Sequence, residues 1–555
     1  MKGQKIKNVI KSILFVLVFF ILLYAVNGLL AEKWWYPMFY ESPAYQYREL
    51  YETDLSDLQA VFLGTSHMEM AVDPMQIYKE KGFVTFNMAS SSQPMEGSYY
   101  ALEEVFRLAN PKYVFFDVSK LFTTSGRASY RMIFENMQWG LPKLKNIKSW
   151  AMLADDKYRL QRLISAFFPI VEYHDRWDSL TEQDFINDVG KRHYYRKGRY
   201  TVSAVANSQN IAVDWMNEIA DRKYLVEIFN TAIENGEETK EKGKLSKLYK
   251  PEIYTNDQEL LMKMSELCRK HDAQLILVKI PSARPPQQYL GAWTKIKSGI
   301  VKEFAKKADL DFLDLMYDYD IGIEWEADTW DNGIHLNYIG SQKVTRFFEE
   351  YLEKMGLNRI ESKAYEDDID IYDKVCSVAE LQSVRDFNEY FQTIQNLQNV
   401  SVFISASDDM QRYLSEDDIN IIKTLGIKIN LEELEYNDAL ILVIDNGKPV
   451  YEAWSNGTID YEGMLSDGTI YQIVSSGYLA ENKSQIIINM KDYSCNKRGI
   501  NIVIYDHESG LVVDSCTFDT WATDKPKATR TLNNFNSVFR DYEEWCMQQW
   551  DNPKE

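Results

Sequence analysis

The chain has 555 residues, of which 45% are hydrophobic and 26% charged, a balance that weighs against general disorder and, at about 150 residues per domain, exceeds one average domain. A formal net charge of −21 weighs against nucleic acid or another polyanion as the main partner. Five cysteines, Cys268, Cys376, Cys495, Cys516 and Cys546, are too scattered for a disulfide framework and contain no zinc-type Cys-x-x-Cys pair. Cys495 and Cys516 flank successive strand-like runs, where an oxidising compartment allows a disulfide and burial allows two free thiols.

Lys2, Lys5, Lys7 and Lys11 precede an apolar run from Ile13 to Ala31, which ends against Trp34-Trp35-Tyr36. About 20 apolar residues suffice to cross a bilayer. Basic residues ahead of the run place the N-terminus in the cytoplasm, and the aromatic cluster suits the far interface. With no Ala-x-Ala site at its end, the segment 1–36 reads as an uncleaved anchor rather than a signal peptide, leaving the rest of the chain extracytoplasmic.

Ala60-Val61-Phe62-Leu63-Gly64 reads as a buried strand that enters a Gly-x-Ser turn at Ser66. Ligands gather at that end of strands in open α/β sheets, although the same serine also suits a helix N-cap. A strand at 84–87, a polar loop at 88–94, a helix at 97–108 and a strand at 111–119 follow. Strands apolar on both faces and alternating with helices indicate a doubly wound parallel sheet. Residues of about 121–255, rich in Trp, Tyr and Arg, interrupt this rhythm as a helical insertion, either a wall over the crevice or a buttress. Arg196 and Arg199 within it are where a local basic groove for an anionic polymer would form.

The rhythm resumes with a helix at 256–271, a strand at 273–281, a helix at 291–307 and a short strand at 312–315. The loop Trp330-Asp331-Asn332-Gly333-Ile334-His335-Leu336-Asn337 then leads into a helix at 340–355 whose apolar side carries Val344, Phe347, Phe348, Tyr351 and Leu352. The α/β domain thus covers 45–356. An acidic run at 365–370 marks a linker over 357–397. From 398 to 525 the texture is β-rich and sandwich-like, with strands at 400–404, 439–444, 485–489, 500–505 and 511–515. A helix at 419–425 ends at Gly426, and Asp445-Asn446-Gly447 supplies the positive φ of a hairpin turn. His507 falls in a turn and reads as solvent-exposed, and 526–555 reads as a tail.

With six histidines in the chain the choice of base is narrow. Serine is a weak nucleophile until an imidazole takes its proton, and a carboxylate on the other ring nitrogen orients that imidazole. His335 is the better partner for Ser66, since the adjacent His67 would not turn toward its own neighbour. Asp331 orients His335, with Asp328 in reserve. The oxyanion of acyl transfer needs donors, for which the Ser66 N–H and Asn87, Ser91 and Gln93 are candidates; ordinary loop capping by Asn87 and Gln93 is the competing reading.

Gly64-Thr65-Ser66-His67, the loop Phe86-Asn87-Met88-Ala89-Ser90, Asp117-Val118-Ser119 and the Asp331 to Asn337 loop together resemble the SGNH (GDSL-like) hydrolase superfamily. The resemblance is nearest to its membrane-anchored branch, with alginate O-acetyltransferase-like proteins and the D-alanyl-lipoteichoic acid transfer protein. It covers about 60–120 and 270–355, and implies Ser66 as nucleophile with His335 and Asp331, no metal and no cofactor. It further implies acyl transfer, of acetyl in many relatives, to a surface polysaccharide or teichoic-acid-like glycan beside a membrane-bound O-acyltransferase. Two departures stand out. The family's Asp lies three residues before its His, where this chain has Asn332, and the family's Gly-x-Asn-Asp block is replaced by Phe116-Asp117-Val118-Ser119. They motivate a reading of a different class, a glycan-binding scaffold without catalysis. In the β-rich module, 439–452 and 499–519 resemble the interleukin-like EMT inducer (PANDER-like) domain, which implies carbohydrate binding in some enzymes; a packing module is the plainer reading.

Overall fold

Five strands pair in parallel, and all but the edge strand β5 are buried along nearly their whole length: β1 (Ala60–Leu63), β2 (Thr85–Asn87), β3 (Tyr113–Asp117), β4 (Gln274–Lys279) and β5 (Asp311–Asp314). Val61, Phe62, Phe86, Phe115, Ile276 and Leu277 have no exposed surface. The strand order is β2-β1-β3-β4-β5, so the winding reverses between β1 and β3 and opens a crevice at their carboxyl ends. The helix Tyr338–Lys354 lays Val344, Phe348 and Leu352 on this sheet, with the Phe348 ring edge-on to Phe62 at 5.1 Å and to Phe115 at 5.3 Å.

The structure is a computed structural model in which residues 2–31, 42–123, 125–185, 193–200, 252–283, 295–331, 333–410, 413–435, 437–521 and 525–549 are described. Trp34-Trp35-Tyr36, Asn332 and the part of the 121–255 insertion from 201 to 251 lie outside them. The chain falls into two units, the first taking residues up to 200, 212–323 and 342–366, and the second 201–211, 324–341 and the remainder from 367. Each is a mixture expected from the sequence: a doubly wound α/β unit behind an N-terminal apolar helix, and a β-rich unit.

In the first unit, β3 and β4 are neighbours although residues 118–273 separate them in sequence. Helices Arg127–Asn136, Leu141–Met152, Asp156–Phe167 and Thr255–Lys270 are the longer elements in the described part of that excursion. Ahead of the sheet, Lys2–Leu30 is one helix; its segment Asn8–Leu30 has a mean hydropathy of 2.8. At 1.5 Å per residue its 23 residues reach about 35 Å, long enough to cross a bilayer core of about 30 Å.

The second unit is built on a ten-stranded sheet that branches at β6 (Val400–Ser407). β6 pairs antiparallel with β7 (Ala439–Asp445) and with the strand Gly499–Asp506, and Phe403, Ile441, Val443 and Val503 meet in the core. Asn446 (φ +48°) and Gly447 (φ +72°) make the expected two-residue turn from β7 to β8 (Lys448–Ser455). The five cysteines are free thiols, so Cys495 and Cys516 do not pair. Burial pushes both thiols up.

Two stretches differ from the sequence expectation. The presumed linker 357–397 carries the helices Lys363–Glu366, Ile369–Ser383 and Phe387–Asn396, because Ile371, Val375, Val378 and Ala379 form an apolar stripe beneath the acidic residues. The presumed tail contains the helix Leu532–Gln549, which buries Val538, Phe539, Cys546 and Met547. Between them, buried Arg530 forks onto Asp514 with two bonds of 2.9 Å, and Tyr390 donates to the same carboxylate at 2.8 Å.

Candidate active site

Gly64 ends β1 with φ +138°, a conformation that favours glycine, and a Cβ there would lie 2.6 Å from Asp117 Cβ. That close approach brings the ends of β1 and β3 together at the reversal point of the sheet. Thr65 Oγ1 donates to Asp117 Oδ2 at 2.8 Å, and Ser66 opens the short helix Ser66–Ala71. Thr65, not Ser66, is the N-cap. Asp117 also accepts from Ser119 Oγ at 2.7 Å, and Lys279 at the end of β4 donates to Ser119 Oγ at 3.0 Å and Ser282 Oγ at 2.8 Å. Lys279 is only 1% exposed, so this hydrogen-bonded chain ties the carboxyl ends of β1, β3 and β4 beneath the Ser66 turn. Neither Asp117 nor Lys279 figures among the site residues expected from sequence. Their signal is a charged residue closing an otherwise apolar strand.

The candidate oxyanion donors are placed beside this turn but are differently employed. Ser90 N–H donates to Gly64 C=O at 3.1 Å, which holds the loop after β2 against the end of β1. Asn87 Nδ2 donates to Met68 O at 3.1 Å and Val72 O at 3.0 Å, and its Oδ1 accepts from Ala89 N–H. Both amide hydrogens of this fully buried residue are therefore spent on the carbonyl end of the Ser66–Ala71 helix. Gln93 accepts from Ser90 Oγ at 2.6 Å and donates to Ser98 Oγ at 3.0 Å, again within the loop and the helix it precedes. These bonds correct the expectation for Asn87 and Gln93, which cap local backbone and loop groups. Ser91 Oγ donates to Glu69 Oε2 at 3.5 Å.

In the second unit, Asp331 holds His335 twice. Asp331 Oδ1 accepts the His335 backbone N–H at 2.7 Å, and Oδ2 lies 2.6 Å from Nδ1. A carboxylate can only accept, so Nδ1 carries a proton, and in the neutral ring the lone pair is on Nε2. Gly333 (φ +89°) lets the loop double back; its N–H reaches Thr329 Oγ1 at 3.0 Å, and Thr329 pairs with Leu336. The Trp330 ring stacks beside His335 at 5.9 Å. Asp328, the reserve carboxylate, is buried and accepts Glu324 N–H at 2.7 Å, which leaves Asp331 as the orienting group. Asn337 closes the loop by donating to Ala327 O at 2.7 Å and accepting from Gly340 N–H.

Among the described residues the basic groove does not form. Arg196, Lys197 and Arg199 are buried; Glu49 accepts the N–H groups of Lys197 and Gly198, Arg199 pairs with Asp73, and Lys197 C=O accepts from Asn87 N–H. A cavity of about 700 Å³ lies instead among Glu96, Lys120, Tyr130, Arg162 and Asp257. Met95 and Lys120 in its lining follow β2 and β3, so it belongs to the carboxyl side of the sheet, as Ser66 does. Burial first and Glu96 second push the Asp257 carboxyl up to about 6, and burial lowers the Lys120 ammonium. Among the described residues no cluster of His, Cys, Asp and Glu could hold a metal ion.

Sheet order and turn place the first unit among doubly wound α/β proteins with a polar turn at the reversal of winding. The chain matches no protein-family model and no curated protein. Among solved structures it is similar to a Bacteroides fragilis protein described as a "putative acylhydrolase", at 12% identity and a TM-score of 0.26, over 56% of this chain and 94% of that one. A likeness of that size decides nothing about activity.

Proposed function

We propose that the protein is an extracytoplasmic, membrane-anchored serine O-acyltransferase or esterase of the SGNH type that acts on a cell-surface polysaccharide. The observation that carries this reading is the His335–Asp331 pair, whose geometry fixes the imidazole tautomer that a serine nucleophile requires. In the proposed reaction Ser66 Oγ attacks the acyl carbonyl as its proton passes to His335 Nε2. The protonated imidazole, stabilised by Asp331, then gives the proton to the leaving oxygen, and a sugar hydroxyl or water opens the acyl-enzyme by the reverse transfers. The cavity, whose lining mixes Trp150 and Leu153 with carboxylates, hydroxyls and an ammonium, supports a polyhydroxylated acceptor.

A glycan-binding scaffold without catalysis is the second reading, favoured by the commitment of Asn87 and Gln93 to local bonds. Turnover of p-nitrophenyl acetate separates the two. The enzyme reading expects hydrolysis that falls by at least about 10³-fold in Ser66→Ala and in His335→Ala, with fluorophosphonate labelling of the folded wild type lost in Ser66→Ala. Folded wild type that neither turns over nor labels supports the scaffold.

A further inference from the structure

The end of the apolar N-terminal helix is gripped by the helical excursion between β3 and β4. Arg176 Nη1 donates to Leu30 O at 3.1 Å and to Ala31 O at 2.7 Å, and Asn27 Oδ1 accepts Ile170 N–H at 2.9 Å. Leu30 is buried there. A helix that crosses a bilayer brings its last turn to the interface, so whatever is bonded to residues 27–31 sits at that depth. Around this grip the excursion exposes large apolar side chains: Trp139, Leu160, Phe167, Val171, Trp177 and Phe185. Leu160 and Trp177 are 68% and 71% exposed. Leu160 and Phe167 are seven residues apart on the helix Asp156–Phe167 and share one face, and the Phe167 ring stacks on Trp139 at 5.7 Å. Monomeric soluble proteins rarely expose so many large apolar side chains on one short excursion without a partner.

We propose that this face is a membrane seat: the excursion docks its apolar side chains into the interfacial layer of the bilayer that the N-terminal helix crosses. The lipid occupant is argued from continuity, because the exposed set begins at residues hydrogen-bonded to the end of the span. Trp and Tyr are the side chains that prefer the headgroup level, and Trp139, Tyr158 and Trp177 are exposed here. Residues 137–185 contain seven Lys or Arg and seven Asp or Glu, so the docking is apolar and needs no anionic lipid. The first unit is thereby fixed in orientation over the membrane, with its acceptor cavity held at a set height.

The proposal rests on the reading of Asn8–Leu30 as a span, and the test separates the two. Nitroxide labels are placed one at a time at Val18→Cys, Leu160→Cys, Trp177→Cys and Met490→Cys, in the full chain carrying Cys376→Ser, in nanodiscs of neutral phosphatidylcholine. Accessibility to oxygen and to a water-soluble nickel chelate is measured at each. The expected result is a severalfold higher oxygen-to-nickel ratio at Val18, Leu160 and Trp177 than at Met490, unchanged by added salt. If Val18 is in lipid while Leu160 and Trp177 match Met490, the seat is overturned and the span stands. Labels at 160 and 177 shielded from both reagents also overturn it, in favour of a second copy or another protein on that face. An aqueous Val18 overturns the span itself and the seat with it.

Discussion

Asp331 does two jobs with one carboxylate, and the consequence is testable at a single atom. Its Oδ2 orients the His335 ring while its Oδ1 caps the loop backbone, so Asp331→Asn keeps the backbone bond's acceptor yet no longer stabilises an imidazolium. The expected outcome is a fall in kcat of about 10³–10⁴-fold with KM little changed, read from steady-state ester hydrolysis. The four-residue spacing left Asp328 and Asp331 both open in the sequence; the bond from Glu324 N–H to Asp328 distinguishes them only in three dimensions. His507 shows the same limit from the other side. It reads as an exposed turn residue, yet its ring is buried, with Nε2 2.8 Å from Ser401 Oγ and 3.0 Å from Asp445 and Nδ1 2.8 Å from Asp467. Ser401 is fully buried, so this Ser-His-Asp grouping is structural.

Burial raises Asp445 and Asp467, but bonds from the Ser466 and Thr469 N–H groups, the Ser401 hydroxyl and His507 outweigh it and hold both carboxyls below their usual value. A depressed carboxylate contributes stability that is present above the unfolded value, about 3.9, and is lost as pH falls through the folded one. Stability of the β-rich unit is therefore expected to decline below about pH 4. His507→Ala should cost about 1.5–3 kcal/mol at pH 7 and make the acid decline shallower, measured by urea unfolding across pH 3–7. A pH profile parallel to that of wild type would refute the account.

At the level of elements, secondary structure was legible wherever apolar spacing was regular. The five parallel strands, the Tyr338–Lys354 helix and the Asn446-Gly447 hairpin all follow from period and turn chemistry. The helices within 357–397 and 532–549 were obscured by charge, because Glu and Asp on an exposed face mask a buried stripe of four or five residues. The segment 193–200 looked like a cationic surface because sequence does not show that Glu49 and Asp73 wait beneath it. The cavity formed by the start of the helix Met95–Leu108, the segment after β3 and the start of the helix Thr255–Lys270 is likewise a product of assembly. Its Asp257 is a carboxyl raised by the fold, so the fold resists its ionisation. Asp257→Asn is expected to raise the melting temperature, with a gain that grows from pH 4 to about 6 and levels off above it, followed by differential scanning fluorimetry. A loss of stability at pH 7 would count against that origin for the shift.

For the whole molecule, an apolar N-terminal helix long enough to cross a bilayer stands ahead of an α/β unit and a β-rich unit. The proposed topology puts both units on the far side of the membrane from Lys2. Met490 is 98% exposed and belongs to the β-rich unit, which makes Met490→Cys a reporter of sidedness. In spheroplasts of the Cys376→Ser background it should react with a membrane-impermeant maleimide without lysis. Labelling that appears only after lysis would place the units in the cytoplasm and remove the proposed surface glycan from reach.

Properties carried by neighbours along the chain could be read without coordinates: the apolar N-terminal helix, the strands, the Gly64–Ser66 turn, and the Asp331–His335 loop, whose partners are only four residues apart. Periodicity and turn chemistry are local, so they survive without coordinates. What depends on distant residues meeting appears only in three dimensions: the Thr65–Asp117–Ser119–Lys279 chain, the employment of Asn87 and Gln93, the free thiols and the burial of the His507 ring and of Arg199. A polar side chain does not announce its partner, and only packing shows whether its donors face a substrate or are already spent on the fold.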